Sequence, residues 1–227
     1  MSVTDGELEF VAAEITRRIG YVDISVGRRG RFLPYRCADL LAAQQAGLDP
    51  TADWRRRAAD NQEAFSGAPP PPQVAAAFVL QWYLGVLAVP TAWAAVLGPW
   101  VLDPSPEALT FDLAEPEAFP CAVTIQSSGV ETIADEGERL ERAHARYLEH
   151  AEAFADSYRP PEVRVGSGQR GGLVHDAWTM ALQDAQAAML PPGRAPATRA
   201  RRRGCCMMYA LPGASPCTAC PRLSRRR

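Results

Sequence analysis

Hydrophobic positions recur at helical spacing over residues 5–19, where Leu8, Ala12, Ile15 and Ile19 share a face and Thr4 or Asp5 caps the start. Tyr21–Val26 alternates and predicts a short extended piece. Arg28-Arg29-Gly30-Arg31 predicts a basic, solvated turn. Cys37–Ala46 reads as a helix stopped by Gly47, with Cys37 as a small buried apolar residue. Residues 51–65 predict another helix, with Trp54, Ala58 and Phe65 on or near its apolar face and Arg55–Arg57 turned to water. Pro69–Pro72 is an extended, exposed break.

From Gln73 to Leu102 there is no charged residue. A membrane-spanning helix needs about 20 consecutive apolar residues, and the run is long enough. Gly85, Pro90, Gly98 and Pro99 interrupt it, Ala dominates it and no Arg flanks it closely, so the pattern predicts two buried core helices packed as a hairpin. The period then changes. Leu109, Phe111 and Leu113 alternate with polar or small residues, as do Cys121, Val123 and Ile125, which predicts two half-buried strands joined by a hairpin loop over Ala114–Pro120, with Cys121 in the core. Over residues 133–158 helical spacing returns, with Leu140, Ala143, Tyr147, Ala151, Phe154 and Tyr158 on one face and Glu138 paired with Arg142 on the other. His144 and His150 point to different sides of that helix and do not share a metal. After Pro160-Pro161 and a loose Gly166–Gly172 loop, a last helix runs from Gly172 to Met189, with Val174, Trp178, Ala181, Leu182, Ala185 and Met189 inward and His175 near its start. Pro191-Pro192-Gly193 ends it.

The fold class is therefore α+β and predominantly helical: a helical body over 1–193 with a small central β-hairpin or sheet, followed by a C-terminal cysteine-rich module over 194–227 with Arg-rich flanks. The formal net charge of −2 implies no whole-chain attraction to nucleic acid. The sequence contains no Lys; Arg is dense over 194–227, while acidic residues crowd into 103–162. No basic segment followed by an apolar run opens the chain, so a cytoplasmic, reducing location is expected, where clustered thiols bind metal more often than they form disulfides.

Four of the six cysteines, Cys205, Cys206, Cys217 and Cys220, stand in the spacing C-C-x10-C-x2-C. Thiolates in fours suit zinc or an iron–sulfur cluster. Only Cys217 and Cys220 have the spacing of a zinc knuckle, and the adjacent pair Cys205–Cys206 leaves the backbone in divergent directions. A 2Fe–2S cluster relaxes this, because each iron takes two terminal ligands. The simplest scheme puts Cys217 and Cys220 on one iron and Cys205 and Cys206 on the other, with Pro212, Gly213 and Pro216 turning the chain back and Met207, Met208 and Leu211 shielding the sulfurs.

The run Arg202-Arg203-x-Cys205-Cys206-x-x-Tyr209-x-Leu211-Pro212, followed by Cys217-x-x-Cys220-Pro221, resembles the C-terminal 2Fe–2S module of the FhuF-like ferric-siderophore reductases. The resemblance covers residues 202–221, and the body offers no motif to match. It implies that Cys205, Cys206, Cys217 and Cys220 hold the cluster, with no catalytic residue beyond it and no substrate-binding residue assigned. It implies a reductase that passes one electron to siderophore-bound Fe(III) and releases Fe(II). The expected partners are a ferric siderophore and a reducing protein or flavin-type donor, in the cytoplasm or loosely at the inner membrane face, without nucleic acid. The chain's lack of a triad, a paired-carboxylate motif and a phosphate loop agrees with one-electron chemistry. On this reading Arg202 and Arg203 offset the charge of four thiolates, while Arg225–Arg227 are solvated flanks. Two other classes fit the same cysteines. One is a redox-sensing regulator with its Arg tail on nucleic acid, although no helix-turn-helix signature is present; the other is a zinc-stapled structural protein or a non-redox relative of siderophore-assembly enzymes.

Overall fold

The computed structural model describes residues 5–26, 33–191 and 200–226. Thr4, the Arg28–Arg31 turn, Pro192-Gly193, Arg199 and Arg227 lie outside the described residues. The first elements are α1 (Asp5–Ile19), β1 (Asp23–Val26), β2 (Tyr35–Arg36), α2 (Cys37–Gln45) and α3 (Ala52–Ser66). They fall where the spacing of apolar residues puts them: Leu8, Val11, Ala12 and Ile15 are buried on α1, and Gly47 ends α2 in the left-handed region at φ 78°. Two expectations for α3 fail. Phe65 is 85% exposed, because the last turn of α3 runs past the core. Arg55 is 4% exposed and does not face water. Its guanidinium spans the Asp49 and Glu162 carboxylates at 2.6 and 2.7 Å, tying the start of α3 to the segment after the fifth helix.

The uncharged stretch forms one helix, α4 (Pro72–Leu97), not two. Proline inside a helix removes an N–H and crowds the preceding turn. Pro90 and Thr91 are nevertheless buried, and Thr91 Oγ1 donates to the Leu87 carbonyl at 2.7 Å. The surrounding packing holds the helix through the proline. α4 is long and apolar enough to cross a membrane, yet 72% of its most apolar window is buried inside the fold. A helix hydrophobic on every side belongs at the centre. α1, α3, α5 (Glu136–Ser157) and α6 (Ser167–Ala188) all pack on it. Arg139 of α5 donates to the Ala95 carbonyl at 2.7 Å, a cation at the helix C-terminus where the dipole favours it.

Between α4 and α5 lie β3 (Trp100–Val101), β4 (Leu109–Leu113), β5 (Pro120–Ile125) and β6 (Glu131–Thr132). β4 and β5 form the expected antiparallel hairpin, with Phe111 opposite Val123, and its loop holds a cis Glu115–Pro116 bond. The sheet is wider than a hairpin. Its order is β1-β5-β4-β2, with β1 parallel to β5 and Ile24 opposite Val123. β3 and β6 make a separate two-residue ladder. Cys121 is half-buried, not core, at the register shift of β4, where its Sγ lies 3.7 Å from the Asp112 carbonyl.

α5 shows the expected buried face, from Ala143 to Tyr158, and Asp135 caps it by accepting from the Glu138 N–H. Arg142 pairs with Glu131 at 3.6 Å, not with Glu138. α6 begins at Ser167, so Gly166–Gly172 is not a loose loop. Tertiary contacts overcome its glycines: Arg170 donates to the Val165 carbonyl and Gln169 reaches the cysteine segment. His175 thus lies inside α6, 3.3 Å from Thr179 Oγ1, and caps nothing. Met189 is half-exposed at the end of the helix.

Candidate metal centre

The chain from Ala200 to Arg226 folds back on itself beside α6. The Arg202 N–H donates to the Ala219 carbonyl at 3.1 Å, closing the two arms of the segment. Met207 takes a left-handed conformation at φ 62°, and a 3-10 turn covers Met208–Ala210. Gly213 adopts φ 72° at the tip, where the Ala214 N–H donates to the Leu211 carbonyl. Turn residues at 212–216 therefore do what their types suggest. The Cys220 N–H donates to the Cys217 carbonyl at 2.9 Å, which makes the C-x-x-C portion a tight knuckle.

α6 supplies the seat. Asp176 is 3% exposed; it accepts from the Arg203 and Gly204 N–H groups at 2.8 Å each and lies 3.4 Å from Arg202 Nε. Gln169 Nε2 donates to the Cys205 carbonyl at 2.8 Å. Gly172 and Gly204 meet backbone to backbone: a Cβ on Gly172 would stand 2.6 Å from the Gly204 nitrogen. Arg202 also donates to Gln81 Oε1 on α4 at 2.6 Å. None of Asp176, Gln169 or Gly172 was marked as functional by the sequence. The signal available was Asp176, one acid among Leu173, Val174 and Trp178 on the inward side of the helix.

These anchors bring all four thiols together. Cys206 and Cys220 are 4% and 3% exposed, while Cys205 and Cys217 are half-buried. Burial pushes the Cys205 thiol up, opposed by the Met207 N–H that donates to it. Burial also pushes up Cys217, with the Cys206 thiol adding to the rise and the Arg202 guanidinium opposing it. The Cys205 thiol bonds to Cys220 and the Cys217 thiol to Cys206, so the cysteines interact across the two arms of the segment. Among the described residues, no group of three or more His, Cys, Asp or Glu side chains is placed to hold a metal ion. Two neighbouring pairs of thiols, a backbone N–H on one sulfur and a guanidinium beside another fit a two-iron cluster.

The other sequence candidates take lesser places. Leu211 is buried and Met207 half-buried beside the cysteines, but Met208 is 37% exposed and shields little. Arg203 engages the site through its backbone only. Arg222 lies 4.2 Å over the Tyr209 ring. Two of the histidines have their partners elsewhere, while His175 lies near the Arg203 charge. His150 joins Tyr83 and Pro104, and His144 stacks on Trp178.

Four cysteines, two buried and two half-buried, with cationic and N–H support, suit an iron–sulfur cluster. Residues 202–222 match the family model described as the FhuF 2Fe-2S C-terminal domain. The cofactor of this segment is a 2Fe–2S cluster, and the chain is FhuF-like in that module. No curated protein matches the chain, and no solved structure matches it.

Proposed function

We propose that the protein is a ferric-siderophore reductase: Fe(III) held by hard oxygen donors gains one electron and leaves as weakly held Fe(II), with the chelator intact. The observation that supports this most is the convergence of Cys205, Cys206, Cys217 and Cys220 in the segment that matches the FhuF module. When bound, the cluster supplies one-electron redox chemistry. The chain's own residues do the rest. The four cysteines would hold the cluster, Asp176 and Gln169 fix the segment that carries them, and Arg202 adds positive charge where thiolate charge collects. The partial exposure of Cys205 and Cys217 leaves a short path to an external donor or acceptor. The proposed donor is a reducing protein or a flavin-type reductant, in the cytoplasm or at the inner membrane face.

The test is anaerobic purification with iron and sulfide assays, then exposure of the reduced protein to a ferric siderophore with a ferrous trap. Parent protein is expected to be coloured and to release Fe(II). Cys206→Ser and Cys217→Ser are expected to lose both the colour and the release. Serine variants that release Fe(II) as fast as the parent would sink the reading.

A further inference from the structure

A groove of about 460 Å³ runs between the segment 159–165 and the start of α6. Pro160 and Pro161 keep the chain from continuing α5, and the Val163 N–H donates to the Pro160 carbonyl at 3.4 Å, which turns the chain toward α6. The polarity of the groove is one-sided. Arg159, Arg164 and Arg170 line it, while Glu162 is already engaged by Arg55 at 2.7 and 3.0 Å.

Two independent observations call for an anion there. The first is Arg170. It is 6% exposed, and a buried guanidinium needs partners for its charge and its N–H groups. One terminal nitrogen donates to the Val165 carbonyl. Its Nε is buried without a hydrogen-bond partner, and among the described residues no carboxylate pairs with it. Burial disfavours its charge and the Arg159 charge adds to this, with Asp156 opposing. Other buried arginines are answered in full view: Arg55 by Asp49 and Glu162, Arg139 by the Ala95, Ile133 and Ala134 carbonyls. The second observation is the end of α6 itself. Gly166 stands at the cap position, no side chain caps the helix and no acid lies in its first turn. The first-turn N–H groups of a helix have no partner within it, and the dipole of 22 residues makes this end positive. Gly166 and Ser167 both line the groove.

We infer that this groove binds a phosphoryl group, with Arg170 Nε and the first-turn N–H groups of α6 as buried donors and Arg159 and Arg164 adding charge from the exposed rim. Guanidinium N–H groups bind phosphate oxygens in pairs, and a helix N-terminus favours the same anion. A dianion answers this much positive charge better than one carboxylate does. No residue of the cysteine segment lines the groove, so the site stands whether or not the cluster reduces a chelate. Two sources share the chemistry, a soluble phosphomonoester and a phosphatidate headgroup, and the test separates them.

Titration calorimetry of the cluster-loaded protein with inorganic phosphate, in buffer free of phosphate and sulfate, is expected to give a saturable single-site isotherm with a Kd of about 1 mM or tighter. Acetate at equal ionic strength is expected to give none. Arg170→Gln and Arg164→Gln are each expected to weaken phosphate binding about tenfold. Arg164 is exposed, so its variant keeps the test clear of any folding defect in the other. Ser167→Asp, which sets a carboxylate at the same helix end, is expected to abolish phosphate binding and raise Tm. Arg17→Gln, on α1 beside the opposite end of α6, is expected to bind as the parent does. Sedimentation with phosphatidate vesicles, against phosphatidylcholine vesicles, is the second arm. Phosphate binding lost in the groove variants assigns the site to a soluble ligand. Binding to phosphatidate vesicles alone, lost in the same variants, assigns it to the headgroup. No binding in either arm, affinity unchanged in all three groove variants, or acetate binding as tightly as phosphate overturns the inference.

Discussion

His150 is buried at 3% exposure between two partners. The Pro104 carbonyl only accepts, so Nδ1 must donate to it at 2.6 Å, and Nε2 then accepts from the Tyr83 hydroxyl at 2.7 Å. The Cys37 thiol, pushed up to about 12 by burial, adjoins the same hydroxyl. Burial makes the neutral imidazole the favoured form in this polar chain. Burial lowers the His150 pKa from 6.5 to about 4, against the opposing pull of the Pro104 carbonyl and the Glu107 and Asp103 charges. The unfolded chain therefore binds a proton near pH 6.5, whereas the folded chain resists until about pH 4. The stability from keeping His150 neutral is complete above pH 6.5 and is lost as pH falls through that window. Between pH 7 and 5 the loss from this residue is about 2 kcal/mol, or a fall of roughly 4–8 °C in Tm. His144 and His175, also lowered by burial, act in the same direction. His150→Leu is expected to be less stable at pH 7 but to show a pH 7-to-5 drop smaller by about 2 kcal/mol in thermal unfolding. An unchanged drop would place the pH sensitivity elsewhere.

α6 shows what one glycine decides within an element. Gly171 is exposed with nothing near its Cβ position, while the neighbouring Gly172 has the Gly204 nitrogen at 2.6 Å and the Arg203 carbonyl carbon at 2.8 Å. Gly171→Ala is expected to stabilise the protein by about 0.5–1 kcal/mol through helix propensity alone. Gly172→Ala must push α6 and the cysteine segment apart, at a cost of about 1–3 kcal/mol, and should speed cluster loss. Urea unfolding and the decay of visible absorbance measure the two effects. If Gly172→Ala matches Gly171→Ala in both, the glycine contact does not seat the segment. The same pair explains part of what the sequence hid. Intrinsic propensity reads Gly166–Gly172 as a loop, and contacts from Gln169 and Gly172 to residues 204–205, with Arg170 on the Val165 carbonyl, favour helix there. α4 was misdivided for a related reason: a helix buried all round carries no period, so Pro90 looked like an end. Where one face meets water, as on α1 and α5, the period was enough to read the element. The β1–β5 pairing joins residues 23–26 to 122–125 and leaves no local trace.

At the scale of the whole molecule, the four cysteines were legible because thiol spacing is a local property, while their seat was not, because it depends on Asp176 in another element. That dependence yields a prediction about how the segment is held. Asp176 accepts two backbone N–H groups of the segment and faces Arg202, all inside a 3%-exposed site. In Asp176→Asn one acceptor oxygen becomes a donor, which would face a backbone N–H that also donates, and the Arg202 guanidinium loses its charge partner. Leaving such buried groups unpaired costs about 3–5 kcal/mol. The cost is expected to be local. The core of α4, α5 and the sheet has its own anchors, such as Tyr158 on the Ala76 carbonyl and Trp54 on the Ala118 carbonyl. The far-UV dichroism of Asp176→Asn should thus match the parent, while its visible absorbance should decay at least tenfold faster under an iron chelator. Asp53→Asn, on the exposed face of α3, should decay at the parental rate. If Asp176→Asn keeps its cluster as long as the parent, the cysteine segment is self-supporting and its contact with α6 is incidental. If the whole fold is lost with the cluster, the body needs the segment as much as the segment needs the body.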